Sequence, residues 1–390
     1  MPRPGQPRAA DLGRTTDLMA IGMLMRAFPP SLVDRIVDEC GRGEQRRRLL
    51  PARVVVYFVL AMCLFSRMSY KAVADLLAEG MTWARYGSSP LAVPTTAAIS
   101  RARAKLGPEP LKALFSTVAA TPIEAREGRR ATAWHWRTFA LDATAMSVPG
   151  TPENCEWFGL PGGPSPGRPP LPQMLVTVLA ECGTRAIIRA AVGPCTTGTW
   201  SLAADLLDGL GPGDLLLADS RFCDVRLVQV VRASGADVLC EGGHGHAPPR
   251  ARGHDALVSP AAVGGPGARD GLVPPVAHAV ADGGTPHPAH ASPRLITGAR
   301  NRPTAPRPDL LSLFRQRWTL QESPAWLWGD RDGALHVLRS RWPGGVEQEL
   351  WGCLLVEHAL RSLTQLPAAS DTGDGGGHPV TYRHRTHRSP

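Results

Sequence analysis

The 390-residue chain has almost no lysine: three of its 43 basic residues are Lys and the rest are Arg. It has no Cys-x-x-Cys pair and no Cys/His pair at zinc spacing, and its eight cysteines are scattered singly. That pattern excludes a local zinc knuckle and a disulfide framework, and it points to a reducing compartment. Cys63 and Cys240 lie in apolar runs and read as small core residues. Long hydrophobic runs are missing too. The longest, Val54 to Phe65, is well short of the roughly 20 residues a bilayer-spanning helix needs, and nothing before it reads as a cleavable signal. The expectation is a cytoplasmic protein with no membrane segment.

What is present is unevenly placed. Apolar residues make up 43% of the chain, enough for a buried core in two or three domains. The net charge is +9, and residues 1–136 carry 20 Lys/Arg against 11 Asp/Glu while the remainder carries 23 against 23. The basic excess therefore sits in the N-terminal third, as a phosphate-contacting part requires. A GC-rich coding bias toward Arg is the competing explanation.

Local pattern divides the chain. Residues 1–17 are polar, Pro/Arg-rich and read as a loose tail, and residues 18–125 read as a helical domain. Within it Ser31 caps a helix after Pro29-Pro30, and Leu49 to Arg67 is apolar nearly all round, as in a buried helix. Ser69 starts an amphipathic helix that ends at Gly80. Thr95 to Leu106 forms another, stopped by Gly107, and Pro110 to Ala119 one more. From Trp136 the pattern changes to strands at Thr138–Leu141, Leu175–Leu179, Arg185–Val192 and Asp214–Ala218. Helical stretches Ser201–Leu210 and Asp224–Ala233 alternate with them. The expected fold class is α/β, with a largely parallel portion.

Residues 241–310 break this order. Gly, Ala, Pro and His supply 42 of those 70 positions and no apolar periodicity survives. Such a connection is rare inside a packed domain, so 241–309 reads as an irregular insertion. A pair of compensating frameshifts would produce the same tract, which translation of the coding DNA in the other frames checks. Its six His have no fixed spacing and do not read as a metal site. Order resumes near Leu310, a last apolar helix runs from Val346 to Leu363, and 366–390 reads as a disordered tail.

Two carboxylates stand at the ends of expected strands: Asp142 in Phe139-Ala-Leu-Asp-Ala-Thr144, and Asp219 after Asp214-Leu-Leu-Leu-Ala218. The carboxyl edge of an α/β sheet is where ligands and metals are met. Each Asp alone also reads as a turn residue or helix cap.

Several segments together resemble bacterial insertion-sequence transposases of the insertion-element-four group. They are Phe28-Pro-Pro-Ser-Leu-Val-Asp34, Leu49-Leu-Pro-Ala-Arg-Val-Val-Val-Tyr-Phe-Val-Leu60, Pro94-Thr-Thr-Ala-Ala-Ile99 and Arg103-Ala-Lys-Leu-Gly-Pro-Glu-Pro-Leu111. Further along stand Ala140-Leu-Asp-Ala-Thr144, Val148-Pro-Gly-Thr-Pro-Glu-Asn154, Gly213 to Asp219, Leu313-Phe-Arg-Gln-Arg-Trp318 and Val337-Leu-Arg-Ser-Arg341. The likeness covers roughly 18–240 and 310–365. It implies a helical DNA-binding bundle followed by an RNase H-like catalytic domain of the DDE type, split between 135–240 and 310–365. In that class three carboxylates hold two Mg²⁺ ions that activate the attacking oxygen and stabilise the leaving one. By resemblance Asp142 is the first ligand and Asp219 the second.

The third ligand should be a Glu in a pattern of Tyr, two residues, Arg, three residues, Glu, six residues, Lys. On this chain the pattern falls on Phe314, Arg317, Gln321 and Trp328, and Arg317 alone matches. Gln321 removes a negative charge from the site. Glu322 stands next to it, but one helical position turns a side chain by about 100°, and Pro324 interrupts a helix there. The turn after the second Asp also departs from the family, reading Ser220-Arg221. For DNA, the helix after Thr95 offers Thr96, Ser100, Arg101, Arg103 and Lys105 in a helix-turn-helix-like unit with the helix at 69–79, and Arg46-Arg47-Arg48 offers a backbone clamp. These also read as an ordinary solvated face and a basic loop. The leading expectation is an Mg²⁺-dependent transposase that binds the terminal inverted repeats of its element, cuts and transfers strands, and acts as a homodimer on double-stranded DNA. Two alternatives remain: a catalytically inactive DNA-binding remnant, and an unrelated metal-dependent nuclease.

Overall fold

The computed structural model describes residues 9–43, 50–83, 94–120, 136–161, 170–218, 221–222, 225–242, 294–297, 314 and 338–364. Six helices come first: α1 (Ala9–Ala27), α2 (Pro30–Glu39), α3 (Ala52–Leu64), α4 (Tyr70–Trp83), α5 (Thr96–Leu106) and α6 (Glu109–Ala120). There follow β1 (Arg137–Ser147), α7 (Pro152–Phe158), β2 (Gln173–Glu181), β3 (Ala186–Pro194) and α8 (Thr199–Ala203) with a 3-10 turn at Ala204–Leu206. The described chain closes with β4 (Asp214–Ala218), α9 (Val225–Ala233), β5 (Asp237–Gly242), β6 (Arg294–Thr297) and α10 (Pro343–Thr364). The expected α/β class is present, with N-terminal helices followed by a mixed sheet.

Local chemistry accounts for most boundaries. Thr95 caps α5 by accepting the Ala98 N–H at 3.2 Å, and Gly107 ends it with φ +72°, a conformation glycine adopts without steric cost. Ser69 accepts the Ala72 N–H at 3.2 Å at the start of α4. Two expected boundaries move. Pro30 occupies the first turn of α2 after an N-cap at Pro29, so Ser31 lies inside the helix and does not cap it. Gly80 does not stop α4. A Cβ there would come 2.7 Å from Ile21 Cγ2, so the glycine lets α4 approach α1 closely.

The sheet has the order β3-β2-β1-β4-β5-β6. β1–β4 and β4–β5 are parallel, whereas β1–β2, β2–β3 and β5–β6 are antiparallel. The parallel portion is thus smaller than the sequence implies. β6 falls within the stretch read as irregular: Leu295 and Ile296 pair with Glu241 and Cys240 of β5. The rest of 243–313, apart from those four strand residues, lies outside the described residues.

One face of the sheet, with Phe139, Leu141, Ala143, Leu216 and Ala218, packs on α8 and α9. The other, with Met146, Val176 and Val178, joins the core of α1–α6 and α10. By the family resemblance the last helix belongs to the catalytic part. In the structure α10 packs against α3 and α6, and Leu350, Trp351, Leu354 and Leu355 are fully buried there. A Cβ on Gly352 would stand 2.8 Å from Cys63 Sγ and 3.0 Å from Val59 Cγ1, which measures how closely α10 and α3 meet.

Candidate active site and nucleic-acid interface

Asp142 was expected at a strand end, yet β1 continues five residues beyond it and Asp142 pairs with Val178 of β2. What ends at this point is the parallel ladder to β4, whose last pair is Leu141↔Ala218. Asp142 and Asp219 are the next residue of each chain segment. Asp219 and Ser220 lie outside the described residues.

Side chains alternate faces along a strand and neighbouring residues across a ladder share a face. Asp142 therefore shares its face with Thr138 and Ala140, and through the ladder with Leu215 and Leu217. Phe314 packs on Leu215, Leu217, Leu239 and Trp136. Phe314 thus meets the sheet on the face that bears Asp142. Phe314 is 5% exposed, an apolar role that suits the absence of a hydroxyl. Arg317, Gln321, Glu322 and Trp328, which follow it, lie outside the described residues.

The Asp142 carboxylate is partly exposed, at 28% for the side chain. Its Oδ1 accepts the Ala143 N–H at 2.8 Å and a guanidinium N–H of Arg221 at 3.1 Å. Arg221 stands two residues after Asp219 in the chain and is half exposed. The sequence marks Arg221 as a departure from the family turn but does not show its contact with Asp142, because no local pattern tells which residue a turn aims back at the sheet. Among the described residues no three His, Cys, Asp or Glu side chains cluster closely enough to hold a metal ion. The part of the site that is described fits a cation in kind: an accessible carboxylate that already bonds a positive group.

Of the residues expected to touch DNA, Thr96, Ser100, Arg101 and Lys105 are exposed on α5. Ser100 Oγ donates to the Thr96 carbonyl at 3.0 Å. α4 and α5 are each packed on α3, and they also meet directly where Arg103 of α5 bonds the Tyr70 hydroxyl of α4. Arg46, Arg47 and Arg48 lie outside the described residues.

Arg103 is different, and its expected contact with DNA needs correcting. It is 2% exposed. Its guanidinium donates to Gln348 Oε1 at 3.1 Å, to Ser340 Oγ at 2.9 Å, to the Gly345 carbonyl at 3.1 Å and to the Tyr70 hydroxyl. Glu349 Oε1 lies 3.6 Å away as the countercharge. Gln348 returns Nε2 bonds to the Arg103 and Gly107 carbonyls at 2.7 and 2.6 Å. Nearby, Asn154 Nδ2 donates to the Ser340 carbonyl at 3.2 Å, and Thr151 Oγ1 to the Arg341 carbonyl at 2.9 Å. A guanidinium whose donors are all engaged in the core holds helices together and does not reach phosphate. Three separate segments that carry the family likeness, around Arg103, Thr151 and Ser340, meet in this one network.

A cleft of about 740 Å³ opens beside β3, lined by Lys112, Phe115, Arg137, Arg189, Asp205 and His358 among others. It does not include Asp142. No helix among the described residues is long and apolar enough to cross a membrane.

Comparison with known proteins agrees with the resemblance. Residues 18–116 match the family model described as insertion element 4 transposase N-terminal. Over 351 residues the chain is 25% identical to the Transposase InsG for insertion sequence element IS4 of Escherichia coli (strain K12), covering 85% of this chain and 74% of that protein. Among solved structures, the cryo-EM structure of a piggyBac transposase synaptic complex with hairpin DNA aligns over 89% of this chain and 74% of that one, with 11% identity and a TM-score of 0.41. That score is too low to define a common fold. Both sequence matches are to transposases. More narrowly, both are to insertion-sequence transposases of the IS4 group, which supports the resemblance read from the sequence.

Proposed function

We propose that the chain is a DNA transposase of the DDE type whose sheet is RNase H-like, and that it binds the terminal inverted repeats of an insertion sequence, cuts there and transfers the strand. The observation that carries this reading is the β1–β4 ladder, which stops one residue short of Asp142 on one strand and of Asp219 on the other. Adjacent parallel strands stand about 4.8 Å apart, so two carboxylates at such an edge suit a pair of metal ions. Asp142 and Asp219 hold Mg²⁺ in this reading, and bound Mg²⁺ supplies an activated oxygen nucleophile and charge neutralisation at the leaving oxygen. Arg317 contacts phosphate. Position 321, seven residues after Phe314 in the chain, supplies the third group in this reading. The exposed face of α5, with Thr96, Ser100, Arg101 and Lys105, and the run Arg46-Arg47-Arg48 bind double-stranded DNA, and two chains pair two element ends.

Gln321 favours a second reading, an inactive DNA-binding remnant, since a carboxamide is a weak Mg²⁺ ligand. Glu322 is the one carboxylate nearby in sequence that could replace it. A nicking assay with Mg²⁺ on DNA carrying the element ends separates the two. The unaltered chain is expected to nick weakly, Asp142→Ala and Asp219→Ala to lose nicking altogether, and Gln321→Glu to raise it by at least an order of magnitude, in keeping with restoring a metal ligand. Nicking that persists in Asp142→Ala overturns the catalytic assignment. DNA binding with no nicking in any variant, Gln321→Glu included, establishes the second reading.

A further inference from the structure

We propose that Arg221 is a built-in counter-cation of Asp142 which a divalent ion must displace before the site is loaded. The inference rests on the reading of Asp142 as a metal ligand and adds to it a competitor within the chain. Arg221 places a guanidinium N–H 3.1 Å from Asp142 Oδ1, the same oxygen that accepts the Ala143 N–H. The oxygen is therefore oriented by the backbone and neutralised by a side chain from beyond the end of β4. Both partners stay reachable by solvent, at 28% and 50% exposure. The pair is weak enough to open, because exposed ion pairs are screened and their geometry costs side-chain entropy.

A divalent ion on Asp142 and a guanidinium at hydrogen-bond distance from the same oxygen cannot both be accommodated without strong repulsion between like charges. Arg221 must swing out as the ion enters. The long, half-exposed side chain allows this. Apparent metal affinity is consequently lowered by the cost of breaking the pair and by the residual positive field of Arg221. Arg221 is a positioning residue here, acting on the carboxylate and not on the reacting atoms.

The test is a titration of the full chain with Mn²⁺ in the absence of DNA, with free Mn²⁺ followed by its electron paramagnetic resonance signal at constant ionic strength. Arg221→Ala is expected to bind Mn²⁺ about tenfold more tightly than the unaltered chain, the weight of one partly screened contact between a single and a double charge. Arg221→Lys, which keeps the charge, should stay close to the unaltered chain, and Asp142→Asn should bind most weakly. If Asp142→Asn weakens binding while Arg221→Ala leaves it unchanged or lowers it, the metal reading stands and the counter-cation role fails. If Asp142→Asn binds as the unaltered chain does, Asp142 is not a ligand and both fall. Far-UV circular dichroism in EDTA accompanies each variant; where Arg221→Ala loses its folded signal, Arg221→Gln carries the same titration, and loss of fold there too shows a structural pair and overturns the proposal.

Discussion

At the scale of single residues, Arg103 and its neighbours on α5 separate two jobs that a basic helix can do. Arg103 sits opposite Glu349 in the core, with both side chains nearly inaccessible. Arg103→Ala leaves that carboxylate buried without a cation, and the expected loss is about 3–5 kcal/mol of stability, read as a lowered denaturant midpoint. Arg103→Lys does not restore it, because Gln348, Ser340 and Tyr70 are reached by a planar fork that an ammonium lacks. Arg101→Ala and Lys105→Ala remove exposed charges, so stability should move by less than about 0.5 kcal/mol. Each should instead lower the salt dependence of DNA binding by about one phosphate contact. Helical spacing sets Arg103 on the face of Ile99 and Leu106, opposite the face shared by Arg101 and Lys105. What it meets there, some 245 positions away, is not legible in the sequence.

His358 and Glu357, on α10, give opposing dependences on pH. Burial pushes the His358 imidazole below its ordinary value of 6.5, so as pH falls the unfolded chain takes up this proton first and stability declines from about 6.5 downward. Burial, the largest cause, raises the Glu357 carboxyl above its ordinary 4.5, with Arg361 opposing the shift. That contribution is fully present below 4.5 and is lost as pH rises through the elevated value. The expected result isolates the first term: melting temperature falls less between pH 7 and about 5.5 in His358→Leu than in the unaltered chain. Equal slopes would show that His358 does not titrate in this range.

At the scale of elements, α3 and α10 are joined through a glycine. With Cys63 Sγ 2.8 Å and Val59 Cγ1 3.0 Å from where its Cβ would be, Gly352→Val overpacks the contact. A loss of about 1–3 kcal/mol is expected, measurable by urea unfolding, while Gly198→Ala, with open space around it, should change little. Strand β1 shows the limits of local reading. Asp142 and Thr144 interrupt the apolar pattern, so the strand reads as ending at Leu141. Pairing of Asp142 through Ser147 with Val178 through Gln173 extends it, since ladder bonds and cross-strand packing outweigh the weak β preference of a single Asp. β6 was hidden for a related reason: Arg294-Leu-Ile-Thr297 is too short and too closely flanked by Pro and Gly to stand out, and acquires meaning from β5 beside it.

At the scale of the whole molecule, the last helix completes the first core. Val346, Leu350, Trp351 and Leu355 belong to the same buried cluster as Val59, Leu60 and Phe115. A fragment ending at residue 342 should therefore expose the apolar face of α3 and α6, bind a hydrophobic dye and lose cooperative unfolding, and adding a peptide spanning 343–364 should reverse this in part. A cooperatively folding fragment of residues 1–342 would show instead that the N-terminal helices are self-sufficient.

Periodicity, caps and charge placement were enough to mark α2 to α6, strand β4 and the basic N-terminal third, but not α1, whose residues Ala9 to Asp17 fall in the stretch read as a loose tail. These are consequences of short-range sterics and of amphipathic spacing, which act within a few residues. Long-range packing decided the rest: that Asp142 lies within a strand but at the end of a ladder, that Arg221 turns back onto it, that Arg103 is core, and that α10 seals the N-terminal helices. Each depends on which distant surface a side chain meets, and burial free energy is set by that meeting and not by the neighbours in the chain.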